Sequence, residues 1–208
     1  MRSFFAAQML VAALLLAACQ TNDLKEPPIP LGNFALGVNV AITDKMQVPS
    51  ISRKVTPAQM ENAVTRAVEA RFGADRYQGP KLINLGVFVD GYLLAPPGIP
   101  VVMSPASVMI VTVNVFDDAT AEKLNPGGTQ MTVIEKGSAD TFIGSGLTQT
   151  KEKQLETLAY NVAKRIETYL LQNHTWLGMT KEEADAALAR SKGAEQASPT
   201  PAPMAAVN

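Results

Sequence analysis

The chain has 208 residues, with 18 lysines and arginines against 19 aspartates and glutamates, and it contains one cysteine and one histidine. This near-neutral charge argues against a nucleic-acid groove, which needs a basic face. A single cysteine cannot form a disulfide within the chain, so the stability of the fold must come from a packed core.

The first eighteen residues have the layout of a secretory signal. Arg2 supplies a positive charge, an apolar stretch follows over 4–16, and two alanines precede Cys19. A helix needs about 20 apolar residues to span a bilayer, so this stretch is too short for a permanent membrane anchor. The run Leu16-Ala17-Ala18-Cys19 resembles the lipobox of bacterial lipoproteins.

This resemblance implies that residues 1–18 are a removed signal peptide and that the thiol of Cys19 receives a diacylglycerol. Acyl chains on Cys19 then hold the protein to membrane lipid. In Gram-negative lipoproteins an aspartate after the cysteine tends to retain the protein in the inner membrane, and this chain has Gln20 there. The resemblance therefore implies the periplasmic face of the outer membrane.

The composition divides the rest of the chain into three parts. Residues 19–32 are polar and proline-rich, which favours extended backbone and predicts a lipidated tether that lifts the domain off the membrane. Residues 191–208 are rich in alanine, serine, threonine and proline without apolar periodicity, which predicts disorder. The folded domain is expected over 33–178, followed by a short helix over 179–190.

Periodicity predicts the elements of the domain in chain order. Alternation predicts a strand over 34–42 with one buried face, formed by Phe34, Leu36, Val38, Val40 and Ile42. A capping box at Thr56 and Gln59 opens a helix that Gly73 ends. Further strands are predicted over 82–94, 108–116 and 130–135, with a short one around 141–144. The core face of the strand over 108–116 is expected to be Met109, Val111, Val113 and Val115.

A long amphipathic helix is predicted from Thr148 or Thr150 to about Gln172, with Lys164 and Glu167 paired on its solvent side. The order of these elements predicts an α+β fold in two layers. Two amphipathic helices pack on one face of a mostly antiparallel sheet of four or five strands.

The β-α-β-β-β-α order resembles that of small bacterial envelope lipoproteins, including the lipopolysaccharide-assembly lipoprotein and several uncharacterised families. The matching elements are the lipobox, the turn Asp118-Ala119-Thr120-Ala121-Glu122 and the Gly144-Ser145-Gly146 run before the long helix. The usual glycine after the turn threonine is Ala121 in this chain. The resemblance implies a setting in outer-membrane or envelope assembly.

Residues suited to catalysis or metal binding are few. His174 is the only histidine, and it follows a helix end where it can interact with exposed carbonyls. Asp117 and Asp118 fit a turn, and Asp90 is expected to face solvent at a bulge near Gly91. The sequence predicts no catalytic residue, no metal and no cofactor, so we do not expect an enzyme.

Residues 93–105 join two strands and contain four prolines, which prevent most of the segment from being a helix or a central strand. They also carry an apolar group, Ile99, Val101, Val102 and Met103. This group either covers the open end of the core or contacts a partner or lipid.

We expect a protein-interaction or scaffold module of the cell envelope, which docks an envelope protein through this group or by strand addition at a sheet edge. The alternative is a carrier of a small apolar ligand or lipid, with a cavity between the helices and the sheet.

Overall fold

A computed structural model describes residues 23–96, 107–135 and 149–196. The helices are α1 Pro57–Phe72, α2 Lys151–Gln172 and α3 Lys181–Gln196, and two short 3-10 helices cover Asp23–Lys25 and His174–Leu177. The strands are β1 Phe34–Ile42, β2 Lys81–Leu93, β3 Val108–Asp117 and β4 Thr129–Ile134. The predicted α+β architecture in two layers is confirmed.

The four strands form one mixed sheet in the order β1-β2-β3-β4. β1 runs parallel to β2, while β2 with β3 and β3 with β4 are antiparallel. The parallel pair needs a long crossover, and α1 provides it. The strand predicted around 141–144 lies outside the described residues.

Local sequence signals fix the N-terminal ends of α1 and α2. The side chain of Thr56 accepts a hydrogen bond from the Gln59 amide at 3.2 Å, and the Gln59 side chain accepts one from the Thr56 amide at 2.9 Å. Thr150 Oγ1 accepts from the Lys153 amide at 3.1 Å. Each cap contributes about 1 kcal/mol. The last helix, predicted to end at 190, continues to Gln196.

The core lies between the helices and one face of the sheet. Met109, Val111, Val113 and Val115 are all fully buried on β3, as predicted. Residues of α1 and α2 pack against these four side chains. They include Met60, Val64, Val68, Leu158, Val162, Ile166 and Leu170. Burial of each such large side chain contributes about 1.5–3 kcal/mol, so this layer contact dominates the stability of the fold.

The prediction that Val38, Val40 and Ile42 belong to the buried face of β1 is wrong. Phe34 is 1% exposed, but Val38 is 61% and Val40 43% exposed. The pairing of β1 with β2 shifts between Leu36 and Asn39, where β1 has one extra residue. Because side chains alternate across a strand, one extra residue moves all the following ones to the opposite face.

Residues 23–32, expected to belong to a tether, lie against the domain. Arg76 Nη1 donates to the Leu24 carbonyl at 2.8 Å, and the Tyr77 hydroxyl donates to the Ile29 carbonyl at 2.7 Å. Leu31 is buried in the core. The described part of this segment is therefore not a free spacer.

Candidate partner-binding surface

The site residues predicted from the sequence lie outside the described residues. They are Cys19, proposed for lipidation, and the apolar group Ile99, Val101, Val102 and Met103. Both remain predictions. Another candidate surface lies within the described residues. It is the face of the sheet opposite the helices.

We define the open face as the outward side chains of the four strands. Its most exposed large apolar members are Val38, Val40, Leu82, Phe88 and Ile134, and its polar members include Asn84, Asp90, Thr112, Gln130 and Thr132. Leu82 is 44%, Phe88 40% and Ile134 50% exposed. Exposed apolar groups bordered by polar ones are typical of interaction sites.

Gly86 presents no side chain to the open face, and its backbone is buried by its neighbours. In the sheet register, Gly86 lies between Val40 of β1 and Asn114 of β3. A Cβ atom at Gly86 would lie 3.9 Å from the Cβ of Asn114 and 4.0 Å from a ring carbon of Phe88, which is ordinary contact distance. An alanine at this position would therefore fit without displacing Asn114 or Phe88.

The bulge expected near Gly91 is present, and it gives Asp90 a role on the open face. The pairing of β2 with β3 shifts between Val89 and Gly91, so Asp90 is the extra residue. Its carboxylate accepts hydrogen bonds from Thr112 Oγ1 at 2.7 Å and Gln130 Nε2 at 3.1 Å. Asp90 thus links three strands and forms a polar border to the apolar members.

Asn84 supports the bulge in β1 that turns Val38 and Val40 outward. Its Oδ1 accepts from the Val38 amide at 2.6 Å, and its Nδ2 donates to Asp118 Oδ1 at 2.8 Å. A Cβ atom at Gly37 would lie 2.2 Å from Asn84 Oδ1. Any larger residue at this point of β1 would therefore displace the amide of Asn84.

The outer edge of β1 continues the open face. Among the described strands β1 pairs with β2 alone, so its other edge carries backbone groups that no described strand pairs. Natural proteins protect such edges with charged residues or proline. The nine residues of β1, FALGVNVAI, contain neither, so the bulge, which also discourages pairing at an edge, is the one protective feature of this strand.

A separate cluster of charged side chains lies in the helical layer. Arg71 Nη2 is 2.6 Å from Asp23 Oδ1, and Arg71 Nη1 is 3.1 Å from Glu167 Oε2. The Tyr160 hydroxyl donates to Asp23, and Lys164 Nζ is 3.5 Å from Asp23 Oδ2. The prediction that Lys164 and Glu167 pair on the solvent side is wrong, because Glu167 is buried against Arg71 and Lys164 binds Asp23.

The contacts of this cluster shift the pKa values of its members in different directions. Burial alone would raise the pKa of Asp23, but hydrogen bonds from Tyr160 and Arg71 and the charges of Arg71 and Lys164 hold this pKa below its ordinary value. Burial raises the pKa of Glu167, and the charge of Arg71 offsets this only in part. Burial and the hydrogen bond to Asp23 raise the pKa of Tyr160 to about 12. These contacts attach the first described residues to the helices, which is a structural role.

The titratable residues considered from the sequence have structural contacts. His174 Nδ1 donates to the Met179 carbonyl at 3.0 Å. Asp117 lies 3.1 Å from Lys81 Nζ, and the hydrogen bond from Lys81 lowers the pKa of Asp117. Over the described ranges, no three histidine, cysteine, aspartate or glutamate residues are placed to hold a metal ion.

Two hollows of the described surface lie on the solvent side of the helical layer. One, of about 220 Å³, is lined by Glu69, Ala70 and residues 73–76, and the other, of about 390 Å³, by residues of α1 between Ala58 and Arg66. Neither lies between the helices and the sheet. In the part of the chain that the structure describes, no helix has the length and apolar character to cross a membrane.

Comparison with known proteins gives no family assignment. No family model matches the chain, and no curated protein matches it. A Xanthomonas campestris protein of family DUF330 is similar in structure at 13% identity and a TM-score of 0.35, over 70% of this chain and 92% of that one.

Two other solved structures show similar levels of likeness. A provisionally assigned lipoprotein from Caulobacter crescentus has 13% identity and a TM-score of 0.31, over 65% of this chain and 92% of that one. The PelC dodecamer from Paraburkholderia phytofirmans has 14% identity and a TM-score of 0.26, over 64% and 92%. Scores this low carry no functional inference, so the function must be argued from the residues of this chain.

Proposed function

We propose that the protein is a lipid-anchored lipoprotein of the bacterial envelope that binds a protein partner through β1 and the open face, without catalysis. The observation that carries this proposal is a strand edge without charge or proline that no described strand pairs, combined with largely exposed Val38 and Val40 on the same strand. Support for the anchor comes from the lipobox at Leu16–Cys19, and Gln20 favours the outer membrane.

The partner that fits this surface is an extended segment of another protein. Such a segment can add to β1 through backbone hydrogen bonds, and its alternating side chains can contact Val38 and Val40. Ile99, Val101, Val102 and Met103 are proposed as a second contact with the same partner.

The carrier alternative needs an apolar cavity of several hundred Å³ inside the fold. The side chains that face each other between the helices and the sheet are buried, and the two hollows described above lie elsewhere. Binding of a partner at the surface is therefore the better supported function.

Photo-crosslinking in intact cells tests the proposed surface. A photoreactive phenylalanine analogue at Val38 should give an adduct of discrete mass, and the same analogue at Arg66, exposed on α1, should not. Adding Val40→Asp should abolish the Val38 adduct, whereas Val40→Thr should retain it. Since residue 40 is exposed, each substitution should change the free energy of unfolding by about 0.5 kcal/mol or less.

Two results would contradict the binding proposal. One is an equal adduct pattern from residues 38 and 66, and the other is a Val38 adduct that survives Val40→Asp. The anchor is tested separately with Cys19→Ser. This variant should fold normally and leave the membrane fraction, since the acyl chains are the attachment. A bare Cys19 thiol in protein from the native host would overturn the anchor.

A further inference from the structure

The first described residue is held by the helical layer alone. Asp23 is bound by Arg71 of α1 and by Tyr160 and Lys164 of α2, and no strand residue contributes to these contacts. Tyr160 and Lys164 lie off the stripe of α2 that faces the core, because Leu158, Val162 and Ile166 form that stripe. Arg71 reaches Asp23 from the buried stripe of α1, so Asp23 lies at the outer mouth of the crevice between the two helices, with its side chain 18% exposed.

The chain between the proposed lipid and this point is very short. Cys19 precedes Asp23 by four residues. A fully extended chain of that length spans at most about 14 Å. This is little more than the diameter of one helix with its side chains, about 10–12 Å.

The residues after Asp23 are bound to the domain, so they do not lengthen the connection. The carbonyls of Leu24 and Glu26 accept from Arg76 Nη1 at 2.8 and 3.3 Å, and the carbonyl of Ile29 accepts from the Tyr77 hydroxyl. Leu31 is buried. The connection to the proposed lipid anchor therefore meets the domain at Asp23 and not at the start of β1.

We infer that the outer surface of the helical layer faces the lipid headgroups and that the open face points away from the membrane. This inference rests on the proposed acylation of Cys19. The two faces lie on opposite sides of a two-layer domain, so a connection of about 14 Å at the helices does not let the sheet turn towards the bilayer. None of the large apolar side chains exposed over the described residues lies on a helix, so the helical surface is suited to lie at the headgroups and not to insert into the hydrocarbon.

This orientation gives the short connection a function. It presents β1 and the open face to the aqueous side, where a partner anchored elsewhere can reach them. It also makes the Asp23 cluster the element that sets the orientation, since release of Asp23 would lengthen the free chain.

Energy transfer to the bilayer tests the orientation in the full-length lipidated protein. A fluorophore is placed on Arg66→Cys at the helical surface or on Thr132→Cys at the open face, in vesicles of phosphatidylethanolamine and phosphatidylglycerol with a headgroup-bound acceptor. The acylated Cys19 does not react with the label. We expect transfer from residue 66 to exceed that from residue 132 by about twofold or more, since at least one helix diameter of about 10–12 Å separates the layers.

Two lengthened variants serve as controls. An insertion of about ten glycine and serine residues between Asn22 and Asp23 gives a flexible linker and should bring the two signals together. Asp23→Ala should have the same effect in part, and it keeps the test valid if the insertion disturbs folding.

The outcomes distinguish a failure of the proposed orientation from a failure of the proposed lipid anchor. Equal or reversed transfer from the two labels in protein that sediments with the vesicles would overturn the orientation and leave the anchor intact. Protein that fails to sediment would instead overturn the anchor.

Discussion

Asp23 and Arg71 form an ion pair of 2.6 Å between residues 48 positions apart in the sequence. The same guanidinium contacts Glu167 at 3.1 Å and lies 5.0 Å from the centre of the Tyr160 ring. One arginine thus joins the start of the described chain, α1 and α2.

Replacement of this arginine should destabilise the fold strongly. Arg71→Met leaves the buried Glu167 without its cation, and loss of one partner of a buried pair costs about 3–5 kcal/mol. The double variant Arg71→Met with Glu167→Met should recover at least half of the loss, because an apolar pair of similar volume needs no counter-ion. Urea unfolding at neutral pH measures both. A single variant that loses less than about 1 kcal/mol would show that the pair is not needed.

The contribution of Asp23 should depend on pH. Its pKa in the folded protein lies below the ordinary 3.8, so the folded state favours the ionised form. This stabilisation is complete above the ordinary pKa and is lost as the pH falls through the lower folded value. Asp23→Asn should therefore cost about 1–2 kcal/mol at pH 7 and almost nothing in strong acid. Unfolding curves at both pH values test this, and a constant difference would contradict it.

Glu167 should show the opposite sign. Its folded pKa lies above the ordinary 4.5, so the folded state binds the proton more tightly than the unfolded state. Its contribution is greatest below pH 4.5 and declines as the pH rises through the folded value. The stability of the wild type relative to Glu167→Gln should therefore decline from acid to neutral pH. Denaturant titrations along a pH series measure the trend, and a rising difference would refute the assignment.

Gly37 and Asn84 should be energetically coupled. Gly37→Ala places a Cβ atom against Asn84 Oδ1, and Asn84→Ala removes the hydrogen bonds to Val38 and Asp118, so each should cost about 1–2 kcal/mol. The double variant should cost less than the sum, because the clash disappears with the amide. A double-mutant cycle measures the coupling. Strict additivity would mean that Asn84 does not determine the bulge.

A substitution at Ala121 should stabilise the fold. It has φ of 54° in the turn between β3 and β4, where a left-handed conformation costs an alanine about 1 kcal/mol. Ala121→Gly should stabilise the fold by up to about 1 kcal/mol, less the greater freedom of glycine in the unfolded chain. Thermal unfolding measures the gain. Ala119→Gly, at a position without positive φ, is the control and should not stabilise.

Features that depend on neighbouring residues could be read from the sequence. The caps at Thr56 and Thr150 involve residues within one helical turn, and the core face of β3 follows from simple alternation. The two-layer architecture also followed, since the order and apolar faces of the elements leave few ways to pack them.

Features that depend on distant residues required the tertiary structure. The outward turn of Val38 and Val40 depends on Asn84, 46 residues after Val38, and the burial of Arg71 depends on Glu167, 96 residues away. Signals were present, since a glycine inside a strand often marks a bulge and both charged residues lie within apolar helical stripes. These signals could not be interpreted without the partner. A strand or helix period determines which residues share a face, but only long-range contacts decide where a bulge reverses that face and which charge is buried.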